Sequence, residues 1–270
     1  MGVAARAGLD HLSFADTPGI SAGLILANRG TLCGPFGFSL TPTSRHDLST
    51  VARHRQLLAQ TIGCPPERLV PQRQVHGTEV SYGEHPGAGP PGPVPARWRA
   101  LRHPFAGESD LLVTERRGHA LLLSVADCCP LILWSPVGRA VAAAHCGWRG
   151  CAAGAVKSAV EAMEGEFGVR AAGLRAWVGP CAGFDSRSYE VGTEVYRALS
   201  GYGGCFTRSE RPGHYYLNLG RLVVAALESV GVPTGSIETV ALDTIGDRRF
   251  HSYRRDGADS GRMAAWVMLR

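Results

Sequence analysis

The 270-residue chain contains no unbroken apolar run of the length needed to cross a bilayer, about twenty residues. Its greasiest stretch, residues 120–146, is interrupted by Asp127, Pro130, Pro136 and Arg139. The opening "MGVAARAGLDHLSFADTPG" lacks the apolar core of a secretory signal. These absences predict a cytoplasmic protein without membrane contact. Charge is sparse as well: Asp, Glu, Lys and Arg make up 19% of the chain, for a net charge of +5. No basic stripe interleaved with aromatics is present, and the densest arginine cluster is "RRFHSYRRDG", so nucleic acid is not an expected partner. A mildly positive protein still favours anionic small molecules such as phosphate and nucleotides.

What is present is ordinary for a folded chain: 44% of residues are hydrophobic, enough for a sizeable core. No internal repeat is visible. The eight cysteines, in a reducing compartment, read as free thiols, most of them small buried hydrophobes. Residues 83–109, "GEHPGAGPPGPVPARWRALRHPFAGES", are rich in Pro and Gly without period and read as a long surface loop, because strand-like sequence flanks them.

Periodicity gives the elements. "LSTVARHRQLLAQTIG" (48–63) carries Leu48, Val51, Leu58 and Ile62 at helical spacing and stops on Gly63. "LVPQRQVHGTEVSY" (69–82) reads as strand, tight turn, strand. "DLLVTE", "ALLLSVA", "LILWS" and "RAVAAAHC" read as four short strands of a sheet covered on both faces, since they are nearly apolar throughout. "GCAAGAVKSAVEAMEGEF" reads as one helix with Val156, Val160 and Met163 on a common face. After it come a strand in "RAWVGP", a helix in "VGTEVYRALS", strand into helix in "YYLNLGRLVVAALESVG", and a closing strand in "AAWVMLR". Strands and helices without strict alternation predict a mixed α/β or α+β fold.

Three stretches could carry chemistry. "QVHG" sets His76 before a glycine, "ADCCP" sets Cys128 at a strand end where Pro130 should stop the ladder, and "AAAHCGWRG" sets His145 at the end of a small-residue strand. Strand ends entering glycine turns present side chains to pockets. Two imidazoles and a thiolate make a plausible three-ligand zinc site with an open fourth position. The same residues could instead be satisfied core groups, because they are remote in sequence and lack a local metal signature. Cys129, Cys146 and Cys151 read as packing, and strand alternation points Cys129 away from Cys128.

The ordered series "QVHGTEV", "SDLLVT", "ADCCPLIL", "AAAHCGWRG", "GPC…YEVGTEV" and "SYRRDG…GRMAAWV" resembles the YfiH-like laccase-domain family, also called polyphenol oxidase or purine nucleoside phosphorylase-like. The resemblance runs from about residue 72 to the C-terminus, with a fainter echo from residue 20. It implies one domain over 1–270, an α/β/β/α-like arrangement with a two-layered sheet core flanked by helices, and one Zn2+, or Cu2+, on His76, Cys128 and His145. It also implies phosphorolysis of adenosine, inosine and S-methyl-5'-thioadenosine, with adenosine deaminase activity. The chain departs from the family pattern in "GPCAGFDSRSYEVG", in the cysteine-free "LDTIGDRRFHSY", in "GFSLTPTSRHD" and in the long 83–109 loop.

A multicopper site is excluded by its ligands, since ten histidines form no H-x-H pair. A single-copper polyphenol oxidoreductase stays open, because copper outranks zinc for such ligands. Phosphorolysis needs a cationic phosphate cradle; Arg149, near His145 and near a helix N-terminus, is the first candidate, with Arg254 and Arg255 next. Deamination needs a carboxylate proton shuttle, and Asp127 is either that or a turn cap. Two other classes remain: a metal-free hydrolase using Cys128 with His76 or His145, for which the resemblance implies peptidoglycan precursors as substrate, and a binding protein with Cys128 buried.

Overall fold

The computed structural model describes residues 8–13, 17–30, 32–82, 108–137 and 140–270. The Pro/Gly-rich loop expected at 83–109 therefore lies outside the described residues, apart from Glu108 and Ser109. In chain order the strands are β1 (His11–Ser13), β2 (Ile20–Ile25), β3 (Leu69–Val70), β4 (Val80–Tyr82), β5 (Leu111–Thr114), β6 (Ala120–Val125), β7 (Cys129–Trp134) and β8 (Val141–Cys146). They continue with β9 (Arg175–Val178), β10 (Glu190–Gly192), β11 (Phe206–Arg208), β12 (His214–Leu217), β13 (Ile237–Thr239) and β14 (Met263–Leu269). The helices are α1 (Leu48–Ile62), α2 (Trp148–Ala153), α3 (Ala155–Phe167), α4 (Thr193–Ala198), α5 (Leu219–Ser229) and the single turn α6 (Tyr253–Asp256).

Two large mixed sheets form the centre, one in the order β1-β2-β14-β6-β3 and the other β13-β9-β7-β8-β5-β4; a small sheet runs β10-β12-β11. Period-2 alternation sorts each central strand's residues between two cores. Leu121, Leu123 and Val125 of β6, with Ala265 and Val267 of β14, face Ile132 and Trp134 of β7 and Ala143 of β8, so the large sheets share one apolar layer. The opposite residues, Leu122 of β6 and Trp266 of β14, pack with Leu58 and Ile62 of α1. On the far side of the second sheet, Leu131, Leu133 and Ala144 pack with Val156, Val160 and Met163 of α3 and with Leu222 and Val223 of α5. The result is the expected helix, sheet, sheet, helix layering. Each buried large apolar side chain contributes about 1.5–3 kcal/mol to it.

Several local expectations change. The four apolar strands do not share a sheet: β6 belongs to the first and β5, β7 and β8 to the second. Residues 69–82 are not a hairpin, because β3 pairs with β6 and β4 with β5, which puts the connecting segment across from one sheet to the other. Pro130 does not stop the ladder but is the second residue of β7, opposite His145. It sits near the strand start, where a missing N–H is best tolerated. The helix expected through 150–167 breaks at Gly154, whose φ of 96° closes α2 before α3 begins. Among the described residues no helix is long and apolar enough to cross a membrane.

Candidate metal centre and its cleft

The chain passes between the two large sheets at several points, and the chemistry collects where it does so. His76 lies on the β3–β4 crossing and Cys128 on the β6–β7 crossing; His145 stands near the end of β8. Alternation along β8 aims His145 with Val141 and Ala143 toward the layer between the sheets, and Cys146 toward the helices. The donor atoms of His76, Cys128 and His145 all lie within 4.8 Å of one another. The two imidazoles are tilted by 52° with ring centroids 4.9 Å apart. His145 is buried, Cys128 half-buried and His76 exposed, so the group forms the floor of an open site.

Two backbone features produce this convergence. His76 and Asp127 both adopt the left-handed region, with φ of 62° and 86°. Non-glycine residues enter it rarely, and such positions concentrate at functional sites. Gly147, which follows β8, permits the close approach: a Cβ there would stand 2.9 Å from Cys128 Sγ and 3.1 Å from His76 Nδ1. Any side chain at 147 would intrude on the donors.

Asp110 holds the arrangement together, and sequence reasoning missed it. The pairing of Leu111 with Ala144 sets Asp110 opposite His145, whose backbone N–H donates to the Asp110 carbonyl at 2.8 Å. The fully buried carboxylate accepts from His145 Nδ1 at 2.8 Å through Oδ1. Its Oδ2 accepts from the Val75 and Gly77 amides at 3.0 and 2.7 Å. The only signal in the sequence was the Asp of "SDLLVT", a lone acid before a strand.

The electrostatics follow from these contacts. Burial opposes ionisation of Cys128, yet His145 and His76 beside it bring the thiol down to about 6. Burial likewise favours neutral His145, but Cys128 and Asp110 raise it to about 10. With Nδ1 engaged by Asp110, His145 directs Nε2 to the site. Two imidazole nitrogens and one thiolate fit a borderline-soft ion such as zinc or copper.

Above the floor opens a cleft of about 550 Å³ whose walls carry Arg73, Arg149, Arg254 and Arg262 and the aromatic rings of Trp148, Tyr189 and Tyr253. Arg149 lies 4.3 Å over the Trp148 ring and makes no ion pair among the described residues. Arg254 lies 4.8 Å over Tyr189 and donates to the Glu190 carbonyl at 2.7 Å. Arg73 pairs with Glu108. Arg255 does not line the cleft. Its guanidinium is spent on Asp256 and on the Thr244, Ile245 and Phe250 carbonyls, so it knits the 244–256 loop.

Asp127 is a cap, not a free acid. Its carboxylate accepts from Thr244 Oγ1 at 2.8 Å, Ser252 Oγ at 3.0 Å and the Arg254 amide at 2.6 Å. It thereby fixes the turn that places Arg254. Cys129, Cys146 and Cys151 are buried in the helix-side core, as their reading as packing residues expects.

Residues 24–270 match the family described as multi-copper polyphenol oxidoreductase laccase. The chain belongs to that family. Its YfiH-like relatives include the solved structure of YlmD from Geobacillus stearothermophilus, 28% identical with a TM-score of 0.85 over 99% of this chain and 97% of that one. The Bacillus licheniformis hypothetical protein YfiH is 26% identical with a TM-score of 0.80, covering 93% of each chain. A protein named purine nucleoside phosphorylase from Xylella fastidiosa is 34% identical over 94% of this chain and 95% of its own length. Another of that name, from Bacteroides thetaiotaomicron, is 32% identical over 86% of this chain and 84% of its own. The family's multi-copper description does not fit these side chains: among the described residues, one group of three donors could hold an ion.

Proposed function

We propose that the cleft is the active site of a metal-dependent purine nucleoside phosphorylase, with the ion held by His76, Cys128 and His145. The observation that carries this reading is the convergence of those three donors on the floor of a cleft walled by arginines and aromatics. The relatives named purine nucleoside phosphorylase support it. Zinc or copper bound there would supply Lewis acidity. The chain's own groups do the rest. Arg149 and Arg254 seat inorganic phosphate by charge-assisted hydrogen bonds, and Arg262 extends the cationic wall. The rings of Tyr189 and Tyr253 offer flat surfaces to a purine. In phosphorolysis a phosphate oxygen bonds to C1′ of the ribose as the C1′–N9 bond breaks, and the departing base takes a proton at nitrogen. Arginines fixed before reaction stabilise the phosphate's charge and the developing ribose cation's partner without reorganising.

Adenosine, inosine and S-methyl-5'-thioadenosine are the substrates to test. Adenosine deamination is the weaker arm, since it requires a carboxylate shuttle and Asp127, the acid lining the cleft, has both oxygens engaged. Metal-quantified protein incubated with adenosine, with and without phosphate, should release adenine only when phosphate is present. Phosphate-independent formation of inosine would replace this reading with a deaminase.

A second reading has its own observation. Asp110, His145 and Cys128 stand in the acid–imidazole–nucleophile order of a catalytic triad, the carboxylate on Nδ1 and the thiol toward the other ring edge. Metal-free protein that hydrolyses an amide and is trapped covalently at Cys128 by a substrate-like electrophile would support a cysteine hydrolase instead.

A further inference from the structure

We propose that Asp110 is the positioning residue that assembles the metal centre, joining two ligands carried by separate segments. The proposal rests on the reading of His76, Cys128 and His145 as an ion-binding set. Asp110 is not among the residues that line the cleft and acts only through its neighbours. One oxygen holds His145 by Nδ1, which fixes the tautomer and leaves Nε2 for the ion. The other gathers the amides on either side of His76.

The need for that second grip follows from burial. His145 is packed into the end of the inter-sheet layer, but His76 is exposed, so packing does not set where its ring points. Its backbone must do so, in a left-handed conformation that is uncommon for residues other than glycine. Among the described residues, Asp110 is the side chain that accepts from the amides flanking it. A fully buried carboxylate persists only with its lone pairs satisfied. Here the satisfying donors are one ligand's ring and another ligand's loop. The sheet order β8-β5-β4 makes this possible, because Asp110 stands at the start of the strand between the two segments.

Two variants separate positioning from charge. Asp110→Asn keeps the shape but turns an NH2 group toward either His145 or the loop amides, so it can serve only one of them. Asp110→Glu keeps the charge and displaces it by a methylene. Each purified variant is titrated with Co2+, following affinity by chelator competition and geometry by the thiolate-to-cobalt absorption. Amide hydrogen exchange is measured on the metal-free proteins. The expected result is a cobalt Kd raised by about 10–100-fold in both variants, as for other residues that orient ligands. An altered charge-transfer band and faster exchange confined to residues 72–80 should accompany it, with α1 protected as in the wild type.

Cobalt affinity within about threefold of wild type and an unchanged spectrum in either variant would overturn the assignment. So would loss of protection in α1 as well, which would make Asp110 a general folding residue. A wild-type protein that takes up no cobalt overturns the metal reading together with this one, whereas cobalt-binding wild type with indifferent variants overturns this one alone.

Discussion

Cys128 and Cys129 share a peptide bond, and the structure gives them opposite chemistry. Cys128 lies on the crossing between the two large sheets, half-buried, with two imidazoles beside it, and its thiol is pulled down to about 6. Cys129 opens β7, points into the helix-covered core, and has its thiol pushed well above the ordinary range by burial and by Cys181. Cys146 is raised by its hydrogen bond with Cys151 and by burial, and Cys181 and Cys205 are raised by burial. A thiol becomes a ligand or nucleophile through its surroundings, here whether it lies on the crossing between the sheets or in the helix-covered core.

The largest break in this comparison should come from the donors themselves. Replacing Cys128 by Ser, or His76 or His145 by Ala, is expected to abolish stoichiometric metal and leave phosphorolysis below about a hundredth of wild type, read by elemental analysis and base release. Cys128→Ser with full metal and full activity would count decisively against the site.

Gly147→Ala should follow, because the new methyl would stand 2.9 Å from Cys128 Sγ. Forcing a methyl into a filled position costs about 1–3 kcal/mol. The cost should appear as weakened metal binding in calorimetry, with Cys129 and the helix-side core undisturbed.

Labelling sharpens the contrast further. In metal-free protein, Cys128 is the one cysteine of the eight that is not buried. A thiol with its pKa lowered to about 6 is mostly thiolate at pH 7 and mostly protonated at pH 5. Iodoacetamide should therefore label one site, slowing about tenfold between pH 7 and pH 5 as the thiolate is lost. Uniform labelling of several cysteines would remove the distinction. The smallest effect is expected at Cys129→Ala, a loss of about 1 kcal/mol in denaturant stability with metal content unchanged.

Much of this was legible in the residues. The short, nearly apolar runs "ALLLSVA", "LILWS" and "RAVAAAHC" marked β6, β7 and β8, and Gly63, with φ of 66°, ended α1 where its type predicted. His76, Cys128 and His145 were found as strand-end residues beside glycine or proline. Asp110 was not, because a single acid before a strand is common and its role exists only through the pairing of β5 with β8 and β4. For Asp127 the turn-cap alternative is the one that holds, and Arg255 drops out as a phosphate candidate; pattern could not decide either, because their partners lie on the distant 244–256 loop or within it. The strands read at the two ends of 69–82 are present as β3 and β4, but they join different sheets, because local pattern identifies strands and not the sheet each joins.

The sequence by itself determined which segments bury which faces, because side-chain period and turn residues act over a few neighbours. It also determined which residue types could bind an ion. Only the tertiary structure decided that the chain crosses between its sheets at His76 and Cys128, and that Asp110 stands between the segments that carry His76 and His145. Convergence of groups remote in the chain depends on long-range strand pairing, and no local pattern encodes that.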